Sequence, residues 1–555
     1  MMKQCIKMGW LSVMFLCTLG VFAQENGQSI YKEEQPKRPD NFTPFQYKYT
    51  IEELYEEFSE DMMQRAAAEV EDIRITNEEG VYQGEWTSLD EHTVPEWFED
   101  AKLGIFLDWG PWSVAGWAPA KGNTGTGGSY PDWYEFLMNN YYQEYHTETW
   151  GWDFRRDDFL PLLTGEEFDA EEYVELAEQV GARYFVPFTR HHAGWAMWDS
   201  KFTRRNAMEM GPQRDIYREI AEAARARDMK LGFYFSISEW EYPIILDQPI
   251  NGWNEATSHL GVVKNELAFT NWEPNPLSFY PMEMNGLASG KIPVRDYFAD
   301  YMMPLFKEGV DLFDPDIVWY DGGWNTTSDL NRTREISAYF YNQAAGRKEV
   351  AINDRHSSES MSQHGDFYTR EYNSGMGDPT DHKWEICRSI SPAVGYNWQD
   401  GEHNSLSREE LIEMFIKIVA ENGNLLLVIS PDGSGRLPDI QKDRLLALGD
   451  WLGVNGEGIY ATRPWKVNID GDVFYTQSKD GQYVYVHSLT WPEDELLVKH
   501  VAAERRSEVR MLGWEKEMKW KKVDEGISVS FPEELQEAAN RPNPYGWTLK
   551  IKVSE

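Results

Sequence analysis

"FDPDIVWYDGGW", residues 313–324, is the stretch on which the fold turns. Ile317, Val318, Trp319 and Tyr320 form a short apolar run of β-branched and aromatic side chains, the pattern of a strand buried on both faces. It runs straight into Asp321 and two glycines. Strands of that kind recur on either side of it: "LGIFLDW" (103–109), "RYFVPFT" (183–189), "LGFYFSI" (231–237), "EVAINDR" (349–355), "DFYTREY" (366–372), "AVGYNW" (393–398) and "NLLLVIS" (424–430). Between several of them lie amphipathic helical patterns, such as "DAEEYVELAEQVG", "PQRDIYREIAEAARARDMK", "PVRDYFADYMMPLFKEG" and "REELIEMFIKIVAENG". Roughly eight short strands alternating with helices over about 370 residues fit an α/β protein with a (β/α)8-like barrel and long loops. A doubly wound sheet is the alternative, but no glycine-rich dinucleotide fingerprint follows the first strand.

The expected barrel spans residues 91–465. Beyond it, residues 466–555 break into short alternating segments separated by turn residues, which predicts a small C-terminal antiparallel β-sandwich. Ahead of the barrel, residues 24–90 are polar and acidic. "TIEELYEEFSEDMMQRAAAEVEDI" (50–73) has helical spacing, so this stretch reads as an N-terminal helical extension. Residues 1–23 have Lys3 and Lys7 followed by an apolar run ending at Ala23, the form of a secretory signal peptide. The expected location is periplasmic or extracellular, with no membrane insertion once the signal is removed. Cys5 and Cys17 leave with the signal, so Cys387 remains alone and no intrachain disulfide or cysteine-based metal site is expected.

The chain has 555 residues, a formal net charge of -40 and 24 Trp. That charge opposes nucleic-acid binding, because phosphates are repelled. Abundant Trp and Tyr offer flat apolar faces with a polar edge, which suit sugar rings, although a large core also uses them.

In a barrel of this kind chemistry belongs at the C-terminal strand ends. There the sequence places Asp108-Trp109, Arg190-His191-His192, Tyr234 with Glu239-Trp240 beyond it, Asp321, Asp354-Arg355-His356 and Arg370-Glu371. Two carboxyl groups on one rim, one ionised and one protonated, suffice for glycoside hydrolysis. Asp321 is the candidate nucleophile, with Gly322 and Gly323 leaving room for a ring and with Trp319 and Trp324 as walls. The structural alternative is a carboxylate that caps the next turn. His191 and His192 suit hydroxyl binding better than metal binding, since neighbours on a strand point to opposite faces and no zinc spacing accompanies them.

These segments, in this order, resemble the α-L-fucosidases of glycoside hydrolase family 29. The resemblance is carried by "VPEWFEDAKLGIFLDWGPWSVAGW", "RHHAGWAMWDSKFTRRNA", "GFYFSISEW", "IVWYDGGW", "INDRHS", "HKWEICRSISPAVGYNW" and the long run from "ENGNLLLVISPDGSG" to "YATRPW", over roughly residues 85–466. It implies a barrel followed by a β-sandwich, and a retaining exo-hydrolase that needs no metal or other cofactor and acts on an oligosaccharide. Asp321 matches the family nucleophile. Glu371 sits where many members place the acid/base, and Glu385 is its rival. His191, His192, Tyr234, Trp319, Arg355 and Trp133 match sugar-pocket positions.

The sequence also departs from the family pattern. Asp108 replaces the histidine of "HWG", Asp132 the glutamate of "EWY", Val394 the tryptophan of "WGY", and Ala193 the aspartate of "KHHDG". A carboxylate at position 108 accepts hydrogen bonds and wants hydroxyl donors. L-galactose is L-fucose with a hydroxyl added at C6, so an α-L-galactosidase acting on algal galactan oligosaccharides is a second expectation. A lectin-like protein that kept the pocket and lost catalysis is a third. Oligomeric state, aglycone and linkage stay open.

Overall fold

The computed structural model describes residues 31–119, 130–138, 141–240, 291–324, 326–372, 382–504 and 506–553. The expected signal peptide lies outside them. No helix among the described residues is long and apolar enough to cross a membrane.

Eight strands form one parallel sheet: β1 (Leu103–Leu107), β2 (Tyr184–Pro187), β3 (Lys230–Ser236), β4 (Ile317–Asp321), β5 (Ala351–Ile352), β6 (Tyr368–Glu371), β7 (Trp384–Ser389) and β8 (Gly423–Ile429). Their spatial order is β5-β4-β3-β2-β1-β8-β7-β6. The two ends of that order meet: Asn353, just past β5, bridges in parallel to Phe367, just before β6. The sheet therefore curls into a barrel closed by one bridge. Closure is reinforced by Asp366, whose backbone N–H donates to the Ile352 carbonyl and whose Oδ2 accepts from the Ile352 N–H at 2.8 Å.

Helices with one apolar face cover the outside of the barrel. In the helix Ala170–Gln179 the buried positions Tyr173, Val174 and Ala177 recur at helical spacing, and Asp169 caps its first turn. Ile216–Ala226 buries Tyr217, Ile220, Ala221 and Ala224 in the same way. The N-terminal helix Glu60–Glu79 joins this outer layer: Asn77 donates to the Glu335 carbonyl, and Glu69 and Asp72 both pair with Lys307.

One strand expectation is corrected. "AVGYNW" (393–398) is not a strand; the seventh strand is Trp384–Ser389 instead. Val394 and Tyr396 are buried, which gives the run its apolar look, but Gly395 has φ +102 and breaks an extended path.

The C-terminal strands β9 (Thr462–Asp470), β10 (Val473–Ser478), β11 (Tyr483–Ser488), β12 (Glu495–Lys499), β13 (Val509–Met511), β14 (Glu517–Val523), β15 (Gly526–Ser530) and β16 (Trp547–Lys552) are antiparallel. Their order is β12-β15-β14-β13-β16-β11-β10-β9. Alternate residues such as Val484, Val486, Val498, Ile527, Val529, Leu549 and Ile551 face one shared core, so the sheet folds over on itself as a sandwich.

Candidate active site

The rim is built in layers, because i and i+2 of a strand share a face. On β4, Trp319 and Asp321 point inward together. On β3, Tyr234 lies beside Trp319 and Ser236 beside Asp321 in register. Phe106, Phe188, Tyr234 and Trp319 stack into an aromatic floor, with centroid separations of 4.3 to 5.7 Å. Above this floor stand the carboxylates.

Asp321 is held by two hydrogen bonds, with an imidazole beside it. Tyr234 Oη donates to its Oδ2 at 2.9 Å, and the Gly322 N–H donates to its Oδ1 at 2.9 Å. His192 Nε2 lies 3.8 Å from Oδ2. Glu371 ends β6, where its Oε1 accepts from Tyr130 Oη at 2.7 Å. Arg355 joins the two acids: its Nη1 is 3.8 Å from Asp321 Oδ1 and 3.3 Å from Glu371 Oε2. Both carboxylates therefore face one cleft. Arg355 is itself fixed, since its Nε donates to Thr369 Oγ1, which donates in turn to Asp354 Oδ1. Its guanidinium lies over the Trp319 ring.

Glu385 is placed differently. It points into the barrel beneath the floor, fully buried, and accepts from Trp319 Nε1 and Tyr184 Oη. Burial raises it to about 7, against the pull of those hydrogen bonds. The Glu371 side chain keeps 28% of its exposure, against 0% for the whole of Glu385, so only Glu371 opens to the cleft.

A second group of acids occupies one corner. Asp108 follows β1 and accepts from Trp112 Nε1 at 2.8 Å. The Trp112 ring also packs on His191, whose Nε2 is 3.4 Å from Asp132 Oδ2. Burial pushes Asp108 up to about 8 and lifts Asp132 well above the carboxylate range, helped there by the nearby Asp108 charge. Burial also holds His191 well below its ordinary value, so its ring is neutral. Asp132 Oδ1 and His191 Nδ1 have no hydrogen-bond partner among the described residues, and Asp108 Oδ2 has only the Ser430 hydroxyl near it. A buried corner with unmet polar atoms is incomplete without polar partners.

Trp133 is half-buried beside His192, Trp240 and Trp324, which together make an aromatic side wall. One expected pocket residue sits elsewhere, and another has a different place in the pocket. Trp109 is fully buried, packs on Phe168 and Trp195, and donates to the Asp432 carbonyl, so it is a core residue outside the cleft. Trp319 is a floor rather than a wall. The glycines need a correction too. A Cβ on Gly322, where φ is +72, would lie 2.7 Å from Ser236 Oγ, and one on Gly323 would lie 2.5 Å from the His356 carbonyl carbon. They make room for neighbouring protein, not for a ring.

Glu239 stays out of the cleft: it is paired with Arg190 and Lys291 in a buried ion network behind the histidines. Sequence reasoning missed Tyr130, Trp112 and Ser236. For Ser236 the signal was present, since strand alternation from Tyr234 aims it at the same face. Among the described residues no group of three or more His, Cys, Asp or Glu side chains could hold a metal ion.

The chain as a whole has known relatives. The model of the α-L-fucosidase family matches residues 70–457, and that of the α-L-fucosidase C-terminal domain matches residues 466–552. The chain belongs to the α-L-fucosidase family. It is thus a glycoside hydrolase. It is 30% identical to human tissue α-L-fucosidase over 490 residues, covering 87% of this chain and 94% of that protein. The α-L-fucosidase of Branchiostoma floridae is 29% identical over 479 residues, 85% of this chain and 96% of that one. Among solved structures, the Thermotoga maritima α-fucosidase in complex with fucose is 30% identical with a TM-score of 0.67, covering 85% of this chain and 100% of that one. An α-L-fucosidase from Bacteroides thetaiotaomicron, 20% identical with a TM-score of 0.62 over 82% of this chain and 94% of that one, shares the fold.

Proposed function

We propose that this fucosidase-family chain is a secreted, retaining exo-α-L-glycosidase that removes terminal α-L-fucosyl residues, or the 6-hydroxy analogue α-L-galactosyl, from oligosaccharides. The observation that carries the reading is the single guanidinium nitrogen of Arg355 set between Asp321 and Glu371. Two strand-end acids flanking one cleft are the equipment of a double displacement. Asp321 attacks C1 while Glu371 gives its proton to the departing oxygen, leaving a glycosyl ester on Asp321. Glu371 then takes a proton from water, whose oxygen attacks C1 and releases Asp321. Tyr234 steadies the nucleophile, the aromatic wall shapes the pocket, and His191 and His192 hold ring hydroxyls. The chemistry uses no metal or other cofactor. Secretion rests on the signal-like residues 1–23.

The galactosyl reading is favoured by one specific observation, the unmet polar atoms of the Asp108–Asp132–His191 corner. A site built to hydrogen-bond a hydroxyl rejects the analogue that lacks it by roughly 10⁴-fold, whereas an apolar pocket rejects an added hydroxyl by only about 10²-fold. Measuring kcat/KM on aryl α-L-fucoside and aryl α-L-galactoside decides the sugar, and a fucoside preference of roughly tenfold or more would remove the galactose reading. Asp321→Gly is expected to abolish hydrolysis of either glycoside. Unchanged hydrolysis would overturn the mechanism, and a wild type that binds but cleaves neither would leave a lectin.

A further inference from the structure

We propose that Ser236 is a positioning residue that sets the tautomer of His192, so that the imidazole presents an acceptor, Nε2, beside the nucleophile and demands a donor hydroxyl there. The proposal rests on Asp321 being the nucleophile.

Ser236 ends β3 in register with Asp321 and is fully buried. Its Oγ lies 2.6 Å from His192 Nδ1 and donates to the Ser238 carbonyl at 2.5 Å. A serine hydroxyl has one hydrogen. With that hydrogen on the Ser238 carbonyl, Oγ can only accept, so Nδ1 carries the proton. Burial holds His192 at about 4, the nearby Asp321 charge offsetting it only in part, and the ring is therefore neutral around pH 7. A neutral imidazole with Nδ1–H has its lone pair on Nε2. In the opposite tautomer the Ser236 hydroxyl would have to turn its one hydrogen to Nδ1 and give up its bond to the Ser238 carbonyl. The ring's Nε2–H would gain no hydrogen bond in return, because 3.8 Å to Asp321 Oδ2 is too long for one.

Two acceptors, His192 Nε2 and Asp321 Oδ2, thus face the same spot. A hydroxyl lying there has one hydrogen to give, and with Asp321 Oδ2 already accepting from Tyr234 it donates to His192 Nε2. With the nucleophile beneath C1, the ring hydroxyl in reach is the one on C2, whose hydrogen bonds strengthen as the transition state forms. The ligand class is a pyranoside with a free 2-hydroxyl. The surroundings are fitted to the pair: the Trp240 N–H donates to the His192 carbonyl at 2.8 Å, and a Cβ on Gly322 would intrude 3.3 Å from His192 Nδ1.

Nitrogen NMR of the ¹⁵N-histidine-labelled wild type, with His192 assigned by its loss in His192→Phe, reads the tautomer directly. The expected result is a protonated Nδ1 and a bare Nε2 at neutral pH; a protonated Nε2 would overturn the proposal. Kinetically, Ser236→Ala is expected to lower kcat/KM by about tenfold or more, the scale of one misdirected buried hydrogen bond. In a His192→Phe background the same change is expected to add less than about twofold, because the two residues act as one unit. Fully multiplicative losses would make Ser236 merely structural and sink the idea. The NMR result does not depend on turnover, so retained activity in Asp321→Gly would overturn the hydrolase reading without touching the tautomer.

Discussion

Asp108 shows how one residue couples the site to stability. Its ordinary carboxylate value is 3.8, and in the fold burial pushes it up to about 8. Below pH 4 the group is protonated whether the chain is folded or not, and it makes no difference. Between about 4 and 8 the unfolded chain ionises it and the folded chain does not, so folding grows less favourable as pH rises. Above 8 both forms are ionised and the penalty levels off. Asp108→Asn keeps the acceptor for Trp112 and removes the titration. The variant is expected to gain stability over wild type as pH rises from 5 to 8, by up to about 1.4 kcal/mol per pH unit, in denaturant melts. Parallel wild-type and variant curves across that range would show that Asp108 is already ionised in the folded protein. Its neighbours in the corner, Asp132 and His191, are buried with it, and bound sugar is expected to shift the same profile.

At the scale of elements, β4 and its glycines carry the design. The strand could be read from sequence because buried parallel strands are continuous apolar runs, and six of its seven partners emerged in the same way. The seventh, Trp384–Ser389, reads as strand-like around Glu385 but lost its place to "AVGYNW", because its inward positions hold Glu385 and Cys387 and a strand that buries a carboxylate has a weakened apolar signature. Strand-end logic brought out Asp321, Glu371, Arg355 and both histidines, since those positions are local to the pattern. It could not separate Trp109 from Trp133, because which way a loop tryptophan turns depends on partners far along the chain, such as Phe168 and Asp432. It also assigned Gly322 and Gly323 to the substrate, when long-range packing demands them. Gly322→Ala adds left-handed strain of about 1–2 kcal/mol to a clash with Ser236. Gly323→Ala drives a Cβ into the backbone of the Arg355–His356 turn. Both are expected to lower the melting temperature and to depress kcat/KM, the first through His192 and the second through Arg355. If either variant melts and turns over like wild type, the close packing at the end of β4 is looser than these distances state.

The whole molecule joins a barrel to a sandwich through contacts that resemble the interior of one body. Phe474 of β10 belongs to the barrel's core cluster rather than the sandwich's. Trp451 Nε1 donates to the Gly546 carbonyl, and a Cβ at Gly546, where φ is +49, would sit 2.9 Å from Ile416 Cδ1. Arg463 at the start of β9 pairs with Glu99 and Asp100 beneath β1, and Lys550 pairs with Glu457. These contacts seat the sandwich on barrel helices, an arrangement in which the two are expected to lose their structure together. Calorimetry of the full chain is therefore expected to give one cooperative transition, and Gly546→Val, by forcing the seam apart, to lower that single transition by several degrees. Two separable transitions, with only the later or the earlier one shifted by Gly546→Val, would mean that the sandwich is an independent module tethered to the barrel. Its role would then have to be sought in its own surface instead of in the stability of the cleft.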